Sequence, residues 1–141
     1  MAYRPVTRIE LEMAFSQFLL ELHGVSLRPR HLEAVERVRK LEREIGDRAH
    51  EPWSLDRAAA ATNLSRRRFS ELWRQCTGHS FVTSLQAERV ARAQSLMKEQ
   101  ALSVVAAAYA VGFNDVANFY RVFRRTTGYA PGAWLAMGQK G

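Results

Sequence analysis

Arginines set in two short, aromatic-bearing stretches are the residues of this 141-residue chain best suited to chemistry. One stretch runs Arg66-Arg67-Arg68-Phe69-Ser70-Glu71-Leu72-Trp73-Arg74. The other runs Val116-Ala117-Asn118-Phe119-Tyr120-Arg121-Val122-Phe123-Arg124-Arg125. A guanidinium is a planar cation whose forked donors match a phosphate, or a guanine edge, through paired hydrogen bonds. At helical spacing Phe69, Leu72, Trp73 and Cys76 share one face, which turns Arg66, Arg67, Ser70, Glu71 and Arg74 outward. Phe119, Val122 and Phe123 point inward in the same way. They leave Val116, Ala117, Tyr120, Arg121, Arg124 and Arg125 outward or partly so. The chemistry this suits is recognition of a polyanion, not bond-making.

Charge placement supports that expectation. Residues 1–50 hold nine Lys/Arg against eight Asp/Glu, whereas residues 51–141 hold twelve against six. The basic surplus therefore sits with the two arginine stretches, as an electrostatic footprint on nucleic acid requires. His23, His31, His50 and His79 are scattered, with no metal-ligand spacing near Cys76, and no phosphate-cradling glycine loop appears. Neither an enzyme nor a cofactor or metal is expected. Cys76 is the only cysteine, so no internal disulfide forms, and its place beside Trp73 reads as a buried small hydrophobe. No apolar run approaches the roughly 20 residues needed to span a bilayer, and the first residues lack a signal-peptide core. A cytoplasmic protein with no membrane partner is the expectation.

The elements that must position these arginines are all helical. Residues 7–22 read as an amphipathic helix with Leu11, Phe15, Phe18 and Leu22 on its apolar stripe. Gly24 ends it, and residues 25–30, with Pro29, read as a linker. A helix over 31–46 presents Leu32, Val35, Val38, Leu41 and Ile45. Short helices follow at 55–61, capped by Ser54, and at 66–76, capped by Ser65, with a turn at 62–64. A longer helix covers 81–98 with Val82, Leu85, Val90 or Ala93, Leu96 and Met97 inward. Ser103 caps 104–110, residues 111–114 turn, and 115–126 is helical. Pro131 opens a last helix to about Met137, beyond which the tail frays.

Two of these helix pairs are copies. At an offset of 49 residues, Leu55 meets Val104, Ala58 meets Ala107, Ala59 meets Ala108 and Leu64 meets Phe113. After one inserted residue, Phe69 meets Phe119, Leu72 meets Val122 and Trp73 meets Phe123. Thr77-Gly78 then meets Thr127-Gly128, and Leu85 meets Leu135. Paired alanines let the first helix of each copy lie close across its aromatic partner. The expected fold is all-α: tandem helix-turn-helix units at about 54–78 and 103–128, joined by a long helix, with an additional N-terminal helix. Residues 1–30 read as an appended helix and linker, or the remnant of an upstream sensing or dimerisation domain, and 31–137 as the DNA-binding domain.

Over about 53–135 the chain resembles the C-terminal DNA-binding domain of the AraC/XylS family of bacterial transcription regulators. The specific part is Val104-x-x-Ala107-Ala108-x-x-Val111-Gly112-Phe113-x-Asp115-x-x-x-Phe119-x-Arg121-x-Phe123-Arg124-Arg125-x-x-Gly128-x-x-Pro131. Upstream, Arg89-Val-x-x-Ala93-x-x-Leu96-Met97 resembles the family's joining helix. The resemblance implies seven helices and two helix-turn-helix units contacting successive major-groove segments of double-stranded DNA. Three positions depart from the family pattern. Ala117 stands where Ser is common, Asn118 at an aromatic or His position, and Leu135 where an Arg usually follows the aromatic.

Base reading is expected from Arg67, tuned by Ser70 and Glu71, with Glu71 accepting from cytosine N4 or pairing with Arg67 or Arg74. The resemblance favours positions 116, 117 and 121 for the groove. Arg121 then reads a base or its neighbouring phosphate, while Val116 and Ala117 touch thymine methyls. Phosphate is expected at Arg66, Arg74, Arg124 and Arg125, and at the helix-opening Ser65 and Asn114, where exposed amides and the helix dipole favour anions. Arg89 and Arg92 either reach the DNA backbone or pair with Glu88 or another acid. The apolar stripe of the N-terminal helix either packs inward on the DNA-binding domain, the slightly favoured reading, or pairs with another subunit. A homodimer through that helix or an upstream domain, and a contact with RNA polymerase, are further expected partners. The competing reading is a protein-interaction module that uses its arginines only for solubility.

Overall fold

The computed structural model describes residues 7–22 and 30–138, with side chains described for all of these except 19–22. The expected Leu22 side-chain orientation, Gly24 stop, all but the last residue of the 25–30 linker, and fraying of 139–141 fall outside that description; Arg30, expected in the linker, is helical. Among the described residues the chain is all-α, with eight helices: α1 (Arg8–Leu22), α2 (Arg30–Arg48), α3 (Leu55–Ala61), α4 (Arg66–Thr77), α5 (Phe81–Glu99), α6 (Val104–Ala110), α7 (Val116–Thr127) and α8 (Pro131–Gly138). The two helix-turn-helix pairs are α3–α4 and α6–α7, and α5 joins them along the chain. By compactness the chain divides into one unit of residues up to Arg43 with Leu55–Phe81, and a second of Glu44–Ser54 with Val82 onward.

In the first unit the core forms around α4. Phe69, Leu72 and Trp73 are fully buried, and Ala58 and Ala59 of α3 are buried with them. Phe81 closes the cluster, with its ring 5.5 Å from Phe69 and 5.2 Å from Trp73, both edge-on. Edge-to-face contacts of this kind add about 0.5–1.5 kcal/mol to the burial term. Phe81, not Val82, therefore faces inward at the start of α5, while Val82 is exposed. The aromatic pair on α4 gives Phe81 its partners, while Leu85, Val90, Ala93 and Met97 are buried as the periodicity reading places them.

The second unit repeats the arrangement. Phe119, Val122 and Phe123 of α7 are buried with Ala107 and Ala108 of α6, and with both Val90 and Ala93 of α5. Trp134 of α8 packs on this cluster, its ring 5.8 Å from Phe123. Pro131 is buried at the first position of α8, where its missing N–H leaves no helical bond unmade.

The repeat extends to individual hydrogen bonds. Leu64 N–H donates to Ala59 O at 2.9 Å, as Phe113 N–H does to Ala108 O at 3.0 Å. Asn63 and Gly112 both take positive φ, 55° and 104°, at the matching turn position. Gly112 also meets a close neighbour: a Cβ there would lie 2.9 Å from His50 O and 3.1 Å from the Arg89 guanidinium. At the far ends, Gly78 and Gly128 take left-handed φ of 83° and 87°. Each amide donates to a carbonyl one turn back, Arg74 O or Arg124 O, at 2.8 Å. Thr77 and Thr127 accept from the amides of His79 and Tyr129 at 3.1 and 3.2 Å.

The helix starts bring one correction. Ser65 caps α4 as expected, accepting from Arg68 N–H at 3.1 Å. At α7 the cap is Asp115, not Asn114: its Oδ1 accepts from Ala117 N–H at 3.0 Å. The turn holds one residue more than its counterpart, so the cap moves one position along.

The N-terminal helix brings a second. Its buried residue is Ile9, whereas Leu11, Phe15 and Phe18 are 61%, 64% and 55% exposed. Arg39 of α2 holds this helix. Its guanidinium pairs with Glu10 and Glu42 at 2.7 Å each and donates to Cys76 O at 3.1 Å. It also reaches the Thr7 hydroxyl at 3.2 Å, inside a capping box in which Thr7 N–H donates to Glu10 and Glu10 N–H to Thr7. Polar fastening, and not the stripe read from periodicity, sets which face of α1 turns inward.

Gly112→Ala should lower urea-unfolding stability by more than the roughly 1–2 kcal/mol of left-handed backbone strain, because its Cβ also meets main chain. Gly128→Ala, with open space around its Cβ, should cost only the strain; equal losses would refute the close-approach account. Asp115→Ala should cost about 1 kcal/mol as a lost cap and Asn114→Ala about nothing by the same measurement. The reverse order would restore Asn114 as the cap.

Candidate nucleic-acid interface

The arginine-bearing faces of α4 and α7 are held outward by the burial of their opposite faces. On α4, Arg66, Arg67, Glu71 and Arg74 are exposed and Ser70 is half-buried, with the capping Ser65 exposed at the helix start. The Arg67 side chain is 91% exposed, and its Nε donates to Glu71 Oε1 at 3.2 Å. Glu71 also approaches Arg68 at 3.8 Å. Of the partners anticipated for Glu71, Arg67 is the one it takes, and Arg68 was not anticipated. Arg66 pairs with Asp56 of α3 at 3.1 Å. A pair as exposed as Arg66–Asp56 contributes about 0–1 kcal/mol, so an anionic ligand can exchange for it at little cost.

On α7, Ala117, Arg121, Arg124 and Arg125 are exposed and Val116 is half-buried, with Asn114 exposed in the preceding turn. Asn118, one of the departures from the family pattern, accepts from Arg121 Nη2 through its Oδ1 at 2.7 Å. Arg125 donates to Gln86 of α5 at 2.6 Å. A depression of 630 Å³ runs along this helix, lined by Tyr120, Arg121, Arg124, Arg125, Gly128 and Ala130. Three of the expected site arginines thus converge on one concave surface.

The two arginines expected to read bases share a local device. Arg67 is restrained by Glu71 one turn ahead, and Arg121 by Asn118 one turn behind. Each long cation is held by a residue of its own helix, so less rotamer freedom is lost when it binds. Periodicity places such residues on one face but does not say which of them bond.

Arg89 does not take the acidic partner expected of it. It donates through Nε to Ala49 O at 2.7 Å and through Nη2 to Glu51 O at 2.8 Å, and it lies over the Phe113 ring at 5.8 Å. Main-chain carbonyls, not Glu88, satisfy it, and its partial burial lowers its pKa. Two carbonyl acceptors leave no side-chain signature, which is why sequence reasoning missed them.

Among the described residues no three His, Cys, Asp or Glu side chains gather as a metal site. No described helix is long and apolar enough to cross a membrane.

Comparison with known proteins bears on the whole arrangement. The family described as "Helix-turn-helix domain" matches residues 58–137. The HTH-type transcriptional regulator MtrA of Neisseria gonorrhoeae is 28% identical over 105 residues, covering 72% of this chain and 34% of its own. The arabinose operon regulatory protein of Salmonella typhimurium is 30% identical over 121 residues, covering 85% and 43%. The chain thus spans less than half the length of these curated relatives. Among solved structures, the DNA-binding domain of the global transcriptional factor AdpA, in complex with a target DNA, matches with a TM-score of 0.68. It is 29% identical, covering 72% of this chain and 91% of that one. A probable AraC family transcriptional regulator from Rhodopseudomonas palustris matches at 0.63 with 26% identity, covering 74% and 95%. With the helix-turn-helix family matched over more than half its length and the motif built twice in its fold, the chain belongs to the AraC/XylS family of DNA-binding transcription regulators.

Proposed function

We propose that residues 31–137 bind double-stranded DNA sequence-specifically to regulate transcription in the cytoplasm, without enzymatic activity, with α4 and α7 entering successive major-groove segments. The observation that carries this reading is the twofold repetition of one frame, down to matching turn amides and glycine caps, beneath two arginine-bearing helices. A frame conserved to the level of turn amides and glycine caps suits a part that must present its outer face in a fixed way. That AdpA's domain was solved with a target DNA supports the assignment of the ligand.

Arg67 and Arg121 read bases. Because Glu71 takes the Arg67 Nε, its two terminal nitrogens remain directed outward as a pair suited to guanine O6 and N7. Ser70 and Glu71 tune the choice on α4, and Val116 and Ala117 touch thymine methyls beside Arg121. Ser65, Arg66, Arg74, Asn114, Arg124 and Arg125 hold phosphates, with Asn114 acting from the turn and not from a capping position. Phosphate contacts fix register and base contacts fix sequence.

The four phosphate-facing arginines predict a salt slope near −4, or about a hundredfold loss of affinity between 50 and 200 mM salt. Selection from a random duplex library, followed by anisotropy titration at two salt concentrations, tests this. Arg121→Ala should weaken a selected duplex by about tenfold and a scrambled one little, while Arg125→Ala should weaken both alike. Equal losses for Arg121→Ala would remove it from base reading. Binding without any sequence preference would favour the protein-interaction module.

For the exposed face of α1 we propose a second copy of the same face. Positions 11, 15, 18 and 22 follow the 4-3-4 spacing of a coiled-coil seam, so identical stripes complement each other. Light scattering across a concentration series should show a dimer that Phe15→Glu abolishes. A monomer at the highest concentration would refute the pairing.

A further inference from the structure

The duplication reaches one helix further than the paired helix-turn-helix units. At an offset of 52 residues, Glu36-Arg37-Val38 of α2 meets Glu88-Arg89-Val90 of α5. Behind them, buried Val38, Leu41 and Ile45 meet buried Val90, Ala93 and Met97. The bracing helix is therefore part of the copied element, and each copy brings one arginine to the corresponding place.

Both arginines lie against the turn that precedes an arginine-bearing helix. Arg37 Nε donates to Thr62 O at 2.7 Å, in the α3–α4 turn. Arg89 stands against Gly112 in the α6–α7 turn, so near that a Cβ there would be 3.1 Å from its Cζ. Thr62 and Val111 correspond, as do Asn63 and Gly112, so the two guanidiniums meet equivalent stretches of backbone. Arg89 ties in a further segment through Ala49 O and Glu51 O, and covers the ring of Phe113. Both side chains are half-buried, and the bonds that engage them go to main chain.

We propose that Arg37 and Arg89 are equivalent positioning residues, one per helix-turn-helix, which fix the turn before α4 or α7 and thereby the aim of that helix without touching DNA. The inference rests on α4 and α7 being the reading helices. A guanidinium suits the task because its planar fork can bond carbonyls while its flat face covers a turn, which a lysine ammonium cannot do. Glycine at 112 is the matching half of the device, since any larger residue would occupy the guanidinium's place.

The test uses the whole chain with Arg37→Gln and Arg89→Gln, each titrated against the selected duplex and its scrambled counterpart at several salt concentrations. The expected result is about a tenfold loss on the selected duplex, little change on the scrambled one and an unchanged salt slope. Repeated library selection should show weakened preference only in the half-element read by the helix that each arginine serves. Hydrogen exchange of the free protein should quicken at Leu64 for Arg37→Gln and at Phe113 for Arg89→Gln, each in its own turn alone. Equal losses on both duplexes, with a salt slope smaller by about 0.9, would make the arginine a phosphate contact and overturn the proposal. Unaltered exchange would overturn it as well. If a Gln variant loses its cooperative melt, the Lys variant takes its place, and loss of folding there too would mark a stability residue and overturn positioning. Should the unsubstituted chain select no sequence, the reading-helix assignment falls while the exchange measurement still judges the turns.

Discussion

The outward faces of α4 and α7 depend on the close approach of an alanine-surfaced helix to an aromatic-surfaced one. Ala58 and Ala59, and again Ala107 and Ala108, are buried, and the space they leave is taken by Phe69 and Trp73 or by Phe119 and Phe123. Full burial of such a ring stabilises the fold by about 1.5–3 kcal/mol, so the apolar face dictates rotation about the helix axis. Once that rotation is set, Arg67 and Arg121 have no inward option. The helix-turn-helix is thus a packing solution first, and its recognition surface is what the packing leaves over.

The ends of α4 and α7 are specified as tightly as their faces. A side-chain oxygen accepts at each start, a left-handed glycine stops each end, and a threonine hydroxyl accepts from the amide just beyond. These bonds fix where a helix begins and ends, and so which residues its outer face presents. The electrostatics are laid over this frame loosely. Arg66 with Asp56 is a solvent-exposed pair that an anion can replace at little cost.

Most of the helical plan was legible because its signals are strong and local. Phe69, Leu72, Trp73 and Cys76 fit only one helical face, and glycines at 78 and 128 mark stops that the backbone then uses. The copied alanines, turns and glycines made the tandem arrangement readable without any structure. What was not legible depended on partners distant in sequence. Phe81 turns inward because Phe69 and Trp73 await it, and Val82 is displaced. The face of α1 was misread because Arg39 fastens it through charge, which a hydrophobic stripe does not register. Asp115 took the capping place from Asn114 because one inserted residue moves the helix start. At the site, exposure of Arg67 and Arg121 followed from spacing, whereas their restraint by Glu71 and Asn118 required rotamers.

The most direct measurement of the central claim, that both helices read one duplex together, is a hydroxyl-radical footprint on a selected site. The account predicts two protected patches about one helical turn, or roughly 10 base pairs, apart on one face of the duplex. The patch nearer one end should vanish with Arg67→Ala and the other with Arg121→Ala. A single patch that responds to only one of these substitutions would contradict the account and leave the chain with one working reader.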